Sequence, residues 1–380
     1  MKKSILQVLK MILALAGGGV IGFAIALLFT GTSINELITK FSRVDWAETV
    51  GAGAFSILAA FAALGIHTIL HEAGHLIAGL MSGYKFLLFR IGSITLIHNN
   101  GKYLFKKFPL EGTAGQCLMI PPQLPIEKIP TKLYNLGGIL VNILCSAIAI
   151  IIALTSSNVW VTIAFLLFAL VGLVLAMLNG IPLKIGGISN DGKNVQFLDK
   201  DIHSKKAFIN QLTIHALTQQ GTRPRDIPNE YLTFTTDINF NDALQVNWLL
   251  MSAVTLIDRK DYETSYQILD TIIRHESEVL GIFIKETKCE LIFTSLITGR
   301  IDRAIQLYND EIATYAQQYH KTMSGKLRLL CAVAFYIEKN TPKAQQLQEQ
   351  ILSNGSKYLM LGEVAMDTDL IQEILYNKNQ

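Results

Sequence analysis

A histidine motif inside a membrane-length apolar segment constrains this chain more than any other feature. Residues His71–His75 read His-Glu-Ala-Gly-His, and they lie in the apolar run 50–81, whose only other polar ring is His67. Removing a carboxylate and imidazoles from water costs several kcal/mol unless something compensates them. A bound metal ion is a strong compensator, so the motif predicts a metal site within a membrane span.

The spacing of the motif favours zinc. His71 and His75 are four residues apart, which places both imidazoles on one helical face, one turn apart. Catalysis by zinc also needs a carboxylate that takes a proton from water, and Glu72 is the candidate general base. The structural alternative is a buried glutamate that is protonated or paired.

The third metal ligand must come from elsewhere in the sequence. Asp191 is the best candidate, because it follows a membrane span and is itself followed by Gly192, which allows close backbone approach. A plain turn aspartate is the alternative reading. His67 is a rival, but a third histidine on one straight helix would reach the ion poorly. We therefore expect His67 to be a polar neighbour of the site or a packing residue.

Composition divides the chain into two unlike halves. Of its 380 residues 50% are hydrophobic, and nearly all long apolar runs precede residue 182. The net charge of +3 comes without a basic patch interleaved with aromatic residues, which argues against nucleic acid as a partner. The four cysteines have no CxxC spacing, so we expect them to be unpaired.

Four apolar segments are long enough to cross a bilayer, namely Met11–Phe29, 50–81, 136–154 and 159–178. We expect the first to be an uncleaved transmembrane helix, with a cleaved signal peptide as the alternative. Lysine and arginine are concentrated in segment 83–134 rather than in loop 31–49. Positive-inside counting thus predicts that both termini lie in the cytoplasm. We expect a multi-pass protein of a cell membrane, the bacterial plasma membrane.

The segment between the second and third spans has β character. Two short β-type runs within 84–98 are followed by the turn Asn99-Asn100-Gly101 and a return strand, Lys102–Phe108. The glycine- and proline-containing stretch 112–125 cannot be helix throughout. We predict a small membrane-associated β-hairpin element here and a turn-rich loop at 186–192.

After residue 195 the sequence is typical of a soluble helical domain. Units of about 40 residues each contain an apolar helix, a polar turn and a second helix, close to known helical-repeat periods. The expected fold is mainly α: a polytopic membrane protein with a small β element, plus an all-α, tetratricopeptide-like domain. An irregular helical domain without true repeats is the alternative. The predicted domains are 1–49 (first span and external loop), 50–195 (membrane core) and 196–380 (cytoplasmic helical domain).

Three ordered motifs carry a family resemblance. The motif at 71–75, the sequence Gly138–Asn142 opening another span, and Asn179–Pro182 leading to Asp191-Gly192 resemble the site-2 protease family of intramembrane zinc metalloproteases. The resemblance covers residues 50–195. The second motif lacks the proline that often follows its glycine, the interval from Asn179 to Asp191 is longer than usual, and no PDZ-like segment separates the last two spans.

The resemblance implies one zinc ion held by His71, His75 and Asp191, with Glu72 as the catalytic base. It also implies that Asn142 and Asn179 lie near the site, where an amide could steady an oxyanion or a substrate strand. The β element would align an unwound substrate by strand addition.

The expected function is therefore that of an intramembrane metalloendopeptidase, a hydrolase that cuts transmembrane or membrane-embedded peptides near the cytoplasmic face. The helical domain would bind a substrate tail, a regulator or a second copy of the chain. Two other classes stay open. One is a catalytically silent module that binds a peptide or confers tolerance to it, and the other is a metal permease.

Overall fold

The computed structural model describes residues 46–99, 101–108, 114–185, 187–232 and 238–376. The predicted first span at Met11–Phe29 lies outside these described residues, as do most of the loop 31–49 and the turn residue Asn100. The chain divides into two compact units, Met1–Ala59 and Ala60–Gln380, and the histidine motif lies in the second.

Three helices in the described part of the chain are long and apolar enough to cross a membrane. They are α1 (Trp46–Met81), α2 (Lys132–Thr155) and α3 (Val159–Gly180). They coincide with the second, third and fourth predicted spans. The Asn158 side chain caps α3 by accepting hydrogen bonds from the backbone N–H groups of Trp160 and Val161, so α3 follows α2 after a short turn.

A four-stranded antiparallel sheet follows α1. Its strands are β1 (Lys85–Ile91), β2 (Ile94–Asn99), β3 (Lys102–Lys107) and β4 (Gly115–Ile120), in the spatial order β3-β2-β1-β4. The first three strands confirm the β character predicted for this segment. The fourth was missed: it occupies the middle of the glycine- and proline-containing stretch and ends directly before Pro121, where the missing N–H stops the ladder.

The strand β4 pairs with β1 on the side opposite β2, so it forms one outer strand of this sheet. Gln116 lies opposite Arg90 and Gly115 opposite Ile91. The Met119 side chain lies where a Cβ on Gly79 of α1 would be, which brings β4 against the helix that carries the histidine motif. This packing places the start of β4 beside the site described below.

The turn-rich loop predicted at 186–192 is partly regular structure. Two short strands, β5 (Lys184–Ile185) and β6 (Ile188–Ser189), form a hairpin, and helix α4 (Asp191–Phe197) begins directly after it. Asn190 caps α4 by accepting a hydrogen bond from the Lys193 N–H. Asp191 is thus the first residue of a helix, not a turn residue.

The remainder is helical. The helices are α5 (Ile202–Gln219), α6 (Ala243–Asp258), α7 (Tyr262–Arg274), α8 (Gly281–Ile297), α9 (Ile301–Leu307), α10 (Asp310–Tyr319), α11 (Ser324–Tyr336), α12 (Thr341–Asn354) and α13 (Leu361–Tyr376). Helix α5 joins the sheet to this domain, since its residues Ile209 and Leu212 pack with Met119 of β4.

Three helix pairs match the predicted units. The pairs α6–α7, α8–α9 and α11–α12 are each joined by a turn whose αL residue is Lys260, Gly299 or Lys339, so these residues are 39 and 40 positions apart. A small residue is fully buried in the second helix of each pair: Ser265, Ala304 and Ala344. The helical nature of the domain agrees with the expectation, whereas its membership of the tetratricopeptide class stays a prediction.

Candidate metal centre

Helix α1 positions the two histidines of the motif. His71 and His75 point the same way from successive turns, with their Nε2 atoms 3.1 Å apart. Both side chains are buried. The predicted pairing of the two imidazoles on one helical face is therefore present, and the open question is which third group meets them.

Asp191 meets them at the start of α4. Its Oδ2 lies 3.0 Å from Nε2 of His71 and 3.3 Å from Nε2 of His75. These three side chains could hold a metal ion, since their ligand atoms lie within 4.8 Å of one another. His67 does not belong to this group, and its own contacts are described below.

The long interval before Asp191 is closed by Asn190. Its Nδ2 donates to the backbone carbonyls of Leu178 and Ile181, both at 2.7 Å, and its Oδ1 accepts from the N–H of Leu183 at 3.1 Å. Hydrogen bonds of Asn190 therefore hold the two ends of the hairpin β5–β6 together. The longer spacing adds residues to the hairpin without moving Asp191 away from the histidines.

Gly192 makes the approach of α4 possible. A Cβ on Gly192 would lie 2.1 Å from the carbonyl oxygen of Gly180, the last residue of α3. No side chain fits at that distance, so a glycine is required where the two helix ends meet. This confirms the expectation that Gly192 permits close backbone approach.

Helix α2 contacts the motif through glycines as well. A Cβ on Gly74 would lie 2.3 Å from the carbonyl oxygen of Gly137, so the backbones of α1 and α2 touch at this point. One residue further, a Cβ on Gly138 would lie 2.5 Å from Cε1 of His71. Gly138, which opens the second sequence motif, thus provides the space that the His71 ring occupies.

The environment of His75 fixes which of its nitrogens can bind a metal. Its Nδ1 lies 2.8 Å from the backbone carbonyl oxygen of Tyr134. A carbonyl only accepts, so Nδ1 carries the hydrogen, and in the neutral ring the lone pair is on Nε2. That lone pair points at His71 and Asp191, which is the arrangement metal-binding histidines adopt.

Charge at the centre is dominated by Asp191. Burial raises the pKa of its carboxyl, but the contacts with His71 and His75 outweigh this and lower the pKa to about 2. The carboxylate is therefore ionised at neutral pH. Two imidazole nitrogens and an anionic oxygen converge within 3.3 Å, and a cation, either a proton on one imidazole or a bound metal ion, would balance the charge of the carboxylate there.

Glu72 lies beside the metal-ligand group and against the sheet. A Cβ on Gly115, at the start of β4, would lie 2.7 Å from both Cγ and Oε1 of Glu72. The carboxylate therefore contacts the backbone of an outer strand. Sequence reasoning missed Gly115, because nothing in a glycine-rich segment marks it as the neighbour of a particular side chain.

Arg90 is a second residue that sequence reasoning missed. Its side chain is fully buried in β1, and its Nη1 donates to the carbonyl of Gly92 at 2.8 Å. Burial lowers the pKa of Arg90, and the charge of Glu72 acts in the opposite direction. Arg90 is one of several lysines and arginines in segment 83–134, which together indicate the cytoplasmic side. Nothing in the sequence marks Arg90 as the one whose side chain is buried.

The two asparagines lie in different surroundings. Asn142 is fully buried between His67 and His71, with its amide 3.1 Å from Nδ1 of His67 and 3.4 Å from Nδ1 of His71. Asn179 is half-buried, and its Nδ2 donates to the carbonyl of Leu175 in the same helix at 3.0 Å. The structure therefore brings Asn142 to a metal-ligand candidate, whereas one of the two amide hydrogens of Asn179 is donated within α3.

Comparisons with known proteins add no family to these observations: no protein-family model, no curated protein and no solved structure matches this chain.

Proposed function

We propose that this protein is a membrane-embedded zinc metalloendopeptidase. The observation that carries the proposal is the convergence of His71, His75 and Asp191, with Glu72 directly beside them on α1. The resemblance of the three sequence motifs to those of the site-2 protease family supports the same reading. The three apolar helices support a site within or next to a bilayer.

The donor set fits zinc. Zinc in proteins binds imidazole and carboxylate at about 2.0–2.2 Å in tetrahedral geometry, which places neighbouring ligand atoms about 3.3–3.6 Å apart. The three separations here are 3.0, 3.1 and 3.3 Å, so the ligand atoms need to move apart by only a few tenths of an ångström. Three protein ligands also leave the fourth position that catalytic zinc sites keep open.

The chemistry follows from the positions of the side chains. When bound, zinc supplies a Lewis acid that polarises the scissile carbonyl and acidifies a water molecule. Glu72 takes the proton of the attacking water and later gives it to the leaving amine. Its contact with Gly115 keeps the carboxylate beside the strand that a substrate would follow.

The sheet provides a way to present a peptide. A transmembrane substrate must unwind locally before a protease can reach its backbone, and an extended segment can be held by main-chain hydrogen bonds to a strand. The strand β4 is an outer strand of the sheet, and its first residue borders Glu72. We therefore assign substrate alignment to β4, with cleavage near its Gly115 end.

Topology and partners complete the proposal. Positive-inside counting favours the cytoplasmic side for the sheet, Asp191, the helical domain and both termini. The protein we propose is a multi-pass protein of a cell membrane, the bacterial plasma membrane. The substrate is then a membrane protein or membrane-embedded peptide cut near the cytoplasmic face. The helical domain is the candidate surface for a substrate tail or a regulatory protein.

Metal content and substrate accumulation test the proposal together. The purified full chain is expected to hold one zinc ion, Glu72→Gln to keep it, and His71→Ala and Asp191→Ala to lose it. In cells expressing Glu72→Gln, a subset of membrane proteins should accumulate uncut, and their wild-type cleavage sites should map near the cytoplasmic ends of transmembrane segments.

Identical membrane-protein termini in wild-type and Glu72→Gln cells, with zinc bound in both, would contradict the protease reading and favour a silent binding module. Absence of zinc from the wild-type protein would remove the basis of the proposal altogether.

A further inference from the structure

His67 lies one turn before His71 on α1 and is fully buried. It is separate from the metal-ligand group, and two other helices contact it. Its ring stacks obliquely on Phe168 of α3 with centroids 4.1 Å apart, and its Nδ1 faces Asn142 of α2. His67 is therefore held in place by polar contacts from α2 and α3 and by a ring contact from α3.

The hydrogen bonds of His67 form a chain that ends at the metal-ligand candidate His71. His67 Nε2 lies 3.0 Å from the backbone carbonyl oxygen of Phe168. At the other side of the ring, Oδ1 of Asn142 lies 3.1 Å from Nδ1 of His67, and Nδ2 of Asn142 lies 3.4 Å from Nδ1 of His71. The Phe168 carbonyl, the His67 imidazole, the Asn142 amide and the His71 imidazole thus form one continuous chain of polar contacts.

The direction of this chain is fixed at its far end. The Phe168 carbonyl can only accept, so Nε2 of His67 carries a hydrogen, and in the neutral ring Nδ1 accepts. The two ends of an amide have the same shape, so the count of donors and acceptors decides their orientation. We therefore assign the Asn142 amide the other way round from the atom positions given above, with its N–H₂ group facing His67 and its carbonyl oxygen facing His71.

The consequence for His71 is specific. An amide oxygen accepts from Nδ1–H of His71, which leaves the lone pair of this ring on Nε2, the atom 3.0 Å from Oδ2 of Asp191. The opposite amide orientation would require a doubly protonated His67 in a fully buried position and would put the hydrogen of His71 on Nε2. That hydrogen would block a bond to a metal.

We infer that His67 and Asn142 are positioning residues that fix the Nδ1–H tautomer of His71 and aim its Nε2 at the metal. This inference rests on the proposed metal centre and extends it to two residues that do not touch the ion. It gives Asn142 a role different from the oxyanion contact that the family resemblance implied, because both ends of its amide are engaged by histidines.

The packing around the chain holds it in place. A Cβ on Gly172 of α3 would lie 2.2 Å from Oγ of Ser146 and 2.4 Å from Nε2 of His67. Ser146 in turn donates to the backbone carbonyl of Asn142 at 2.7 Å. The absence of a side chain at residue 172 thus lets α3 bring the Phe168 carbonyl to His67, so three helices together determine the tautomer of one ligand.

Zinc affinity of the full chain in detergent, measured by competition with a chromophoric chelator, tests the inference without any substrate. Asn142→Leu and His67→Phe remove the chain and should weaken zinc binding about 10- to 100-fold, the range found for partners of metal-ligating histidines. His67→Gln carries both a donor and an acceptor and should retain affinity within a few-fold of wild type. Ser146→Ala, next to the chain but outside it, is the packing control and should bind like wild type.

A second measurement on the unsubstituted protein guards against variants that misfold. With ring-¹⁵N histidine, the nitrogen shifts of the zinc-loaded chain should assign Nε2–H to His67 and Nδ1–H to His71. The opposite tautomer in His67 overturns the inference, as do folded Asn142→Leu and His67→Phe variants that bind zinc like wild type. If instead the wild-type chain binds no zinc, the metal centre fails, and both the proposed function and this inference fail with it.

Discussion

The imidazole of His71 occupies the space that any side chain at residue 138 would need. A Cβ on Gly138 would lie 2.6 Å from Nδ1 and 2.7 Å from Nε2 of His71. The helices cannot move apart locally without breaking the backbone contact between Gly74 and Gly137. The position of a metal-ligand candidate on α1 is therefore determined by a missing side chain on α2.

Gly138→Ala tests this relationship. The added methyl group must displace the His71 ring, so we expect zinc affinity to fall about 10-fold or more, comparable to the loss of a partner that orients a ligand. Gly65→Ala is the matched control, since no atom lies within 4 Å of a Cβ at that position of α1. Equal zinc affinity of the two variants would mean that His71 is not held as described.

Asn190 offers a second test, at the other side of the centre. Asn190→Asp keeps the oxygen that caps α4 but loses the Nδ2 donor to Leu178 and Ile181, and it places a negative charge beside two carbonyls. We expect Asn190→Asp to weaken zinc binding because the start of α4 is released from α3, whereas Lys193→Ala in the same helix should not.

Chelator competition on the purified full chain measures both Asn190→Asp and Lys193→Ala. If Asn190→Asp bound zinc as tightly as wild type, the hairpin ends would not be what holds Asp191 in place.

The sequence was sufficient for the parts of the site that depend on helical periodicity. The four-residue spacing of His71 and His75 determines their common face in any helix, and the apolar runs determine which segments are long helices. The place of Asp191 after a span makes it a candidate ligand, although its interval from Asn179 is longer than usual in the family it resembles. The structure accounts for the interval, since Asn190 ties the hairpin ends together through contacts that no local pattern encodes.

Other features depend on packing between distant segments and could not be predicted. The strand β4 has a glycine at one end and prolines after the other, so its β character comes from pairing with β1. Arg90 follows Phe86 and Leu88 at every second residue of β1, and the face between them is apolar too, so no alternation along the strand shows which face is buried. The link from His67 through Asn142 to His71 joins residues 75 positions apart in sequence. Its effect on the tautomer of His71 depends on which atoms donate and which accept, and the sequence does not show this.

The buried charges of the helical domain predict a pH dependence of stability. Asp367 of α13 is fully buried and forms an ion pair with Arg328 at 3.0 Å. Burial raises its pKa from 3.8 to about 6, although Arg328 acts against this. The folded state thus binds this proton more tightly than the unfolded chain does. The contribution of Asp367 to the free energy of unfolding therefore falls as the pH rises from about 4 to about 6.

We expect this fall to be on the order of 1–3 kcal/mol and to be lost in Asp367→Asn, which does not titrate. Trp248 of the helical domain reports unfolding when Trp46 and Trp160, the other two of the three tryptophans, are replaced by phenylalanine. Glu363 and His215, whose pKa values burial raises to about 8 and lowers to about 4, add their own pH dependence in both proteins. The test is therefore the change in the difference between the urea midpoints at pH 4.5 and 7 when Asp367→Asn is added to that background. An unchanged difference would contradict the assignment.

The turn at Lys339 carries strain that glycine would relieve. Lys339 has φ of 53° and is exposed, and the corresponding residue of the preceding pair, Gly299, has φ of 77°. An L-residue in this region costs about 1–2 kcal/mol, part of which glycine loses again through its freedom in the unfolded chain. We expect Lys339→Gly to stabilise the domain by about 0.5–1 kcal/mol, and Gly299→Ala to destabilise it by about 1 kcal/mol.

Urea unfolding followed at Trp248 measures both changes. Lys343→Gly inside α12 is the control, and it should destabilise the domain because glycine is unfavourable within a helix. A lower midpoint for Lys339→Gly would show that the side chain, rather than the turn conformation, is what this position requires.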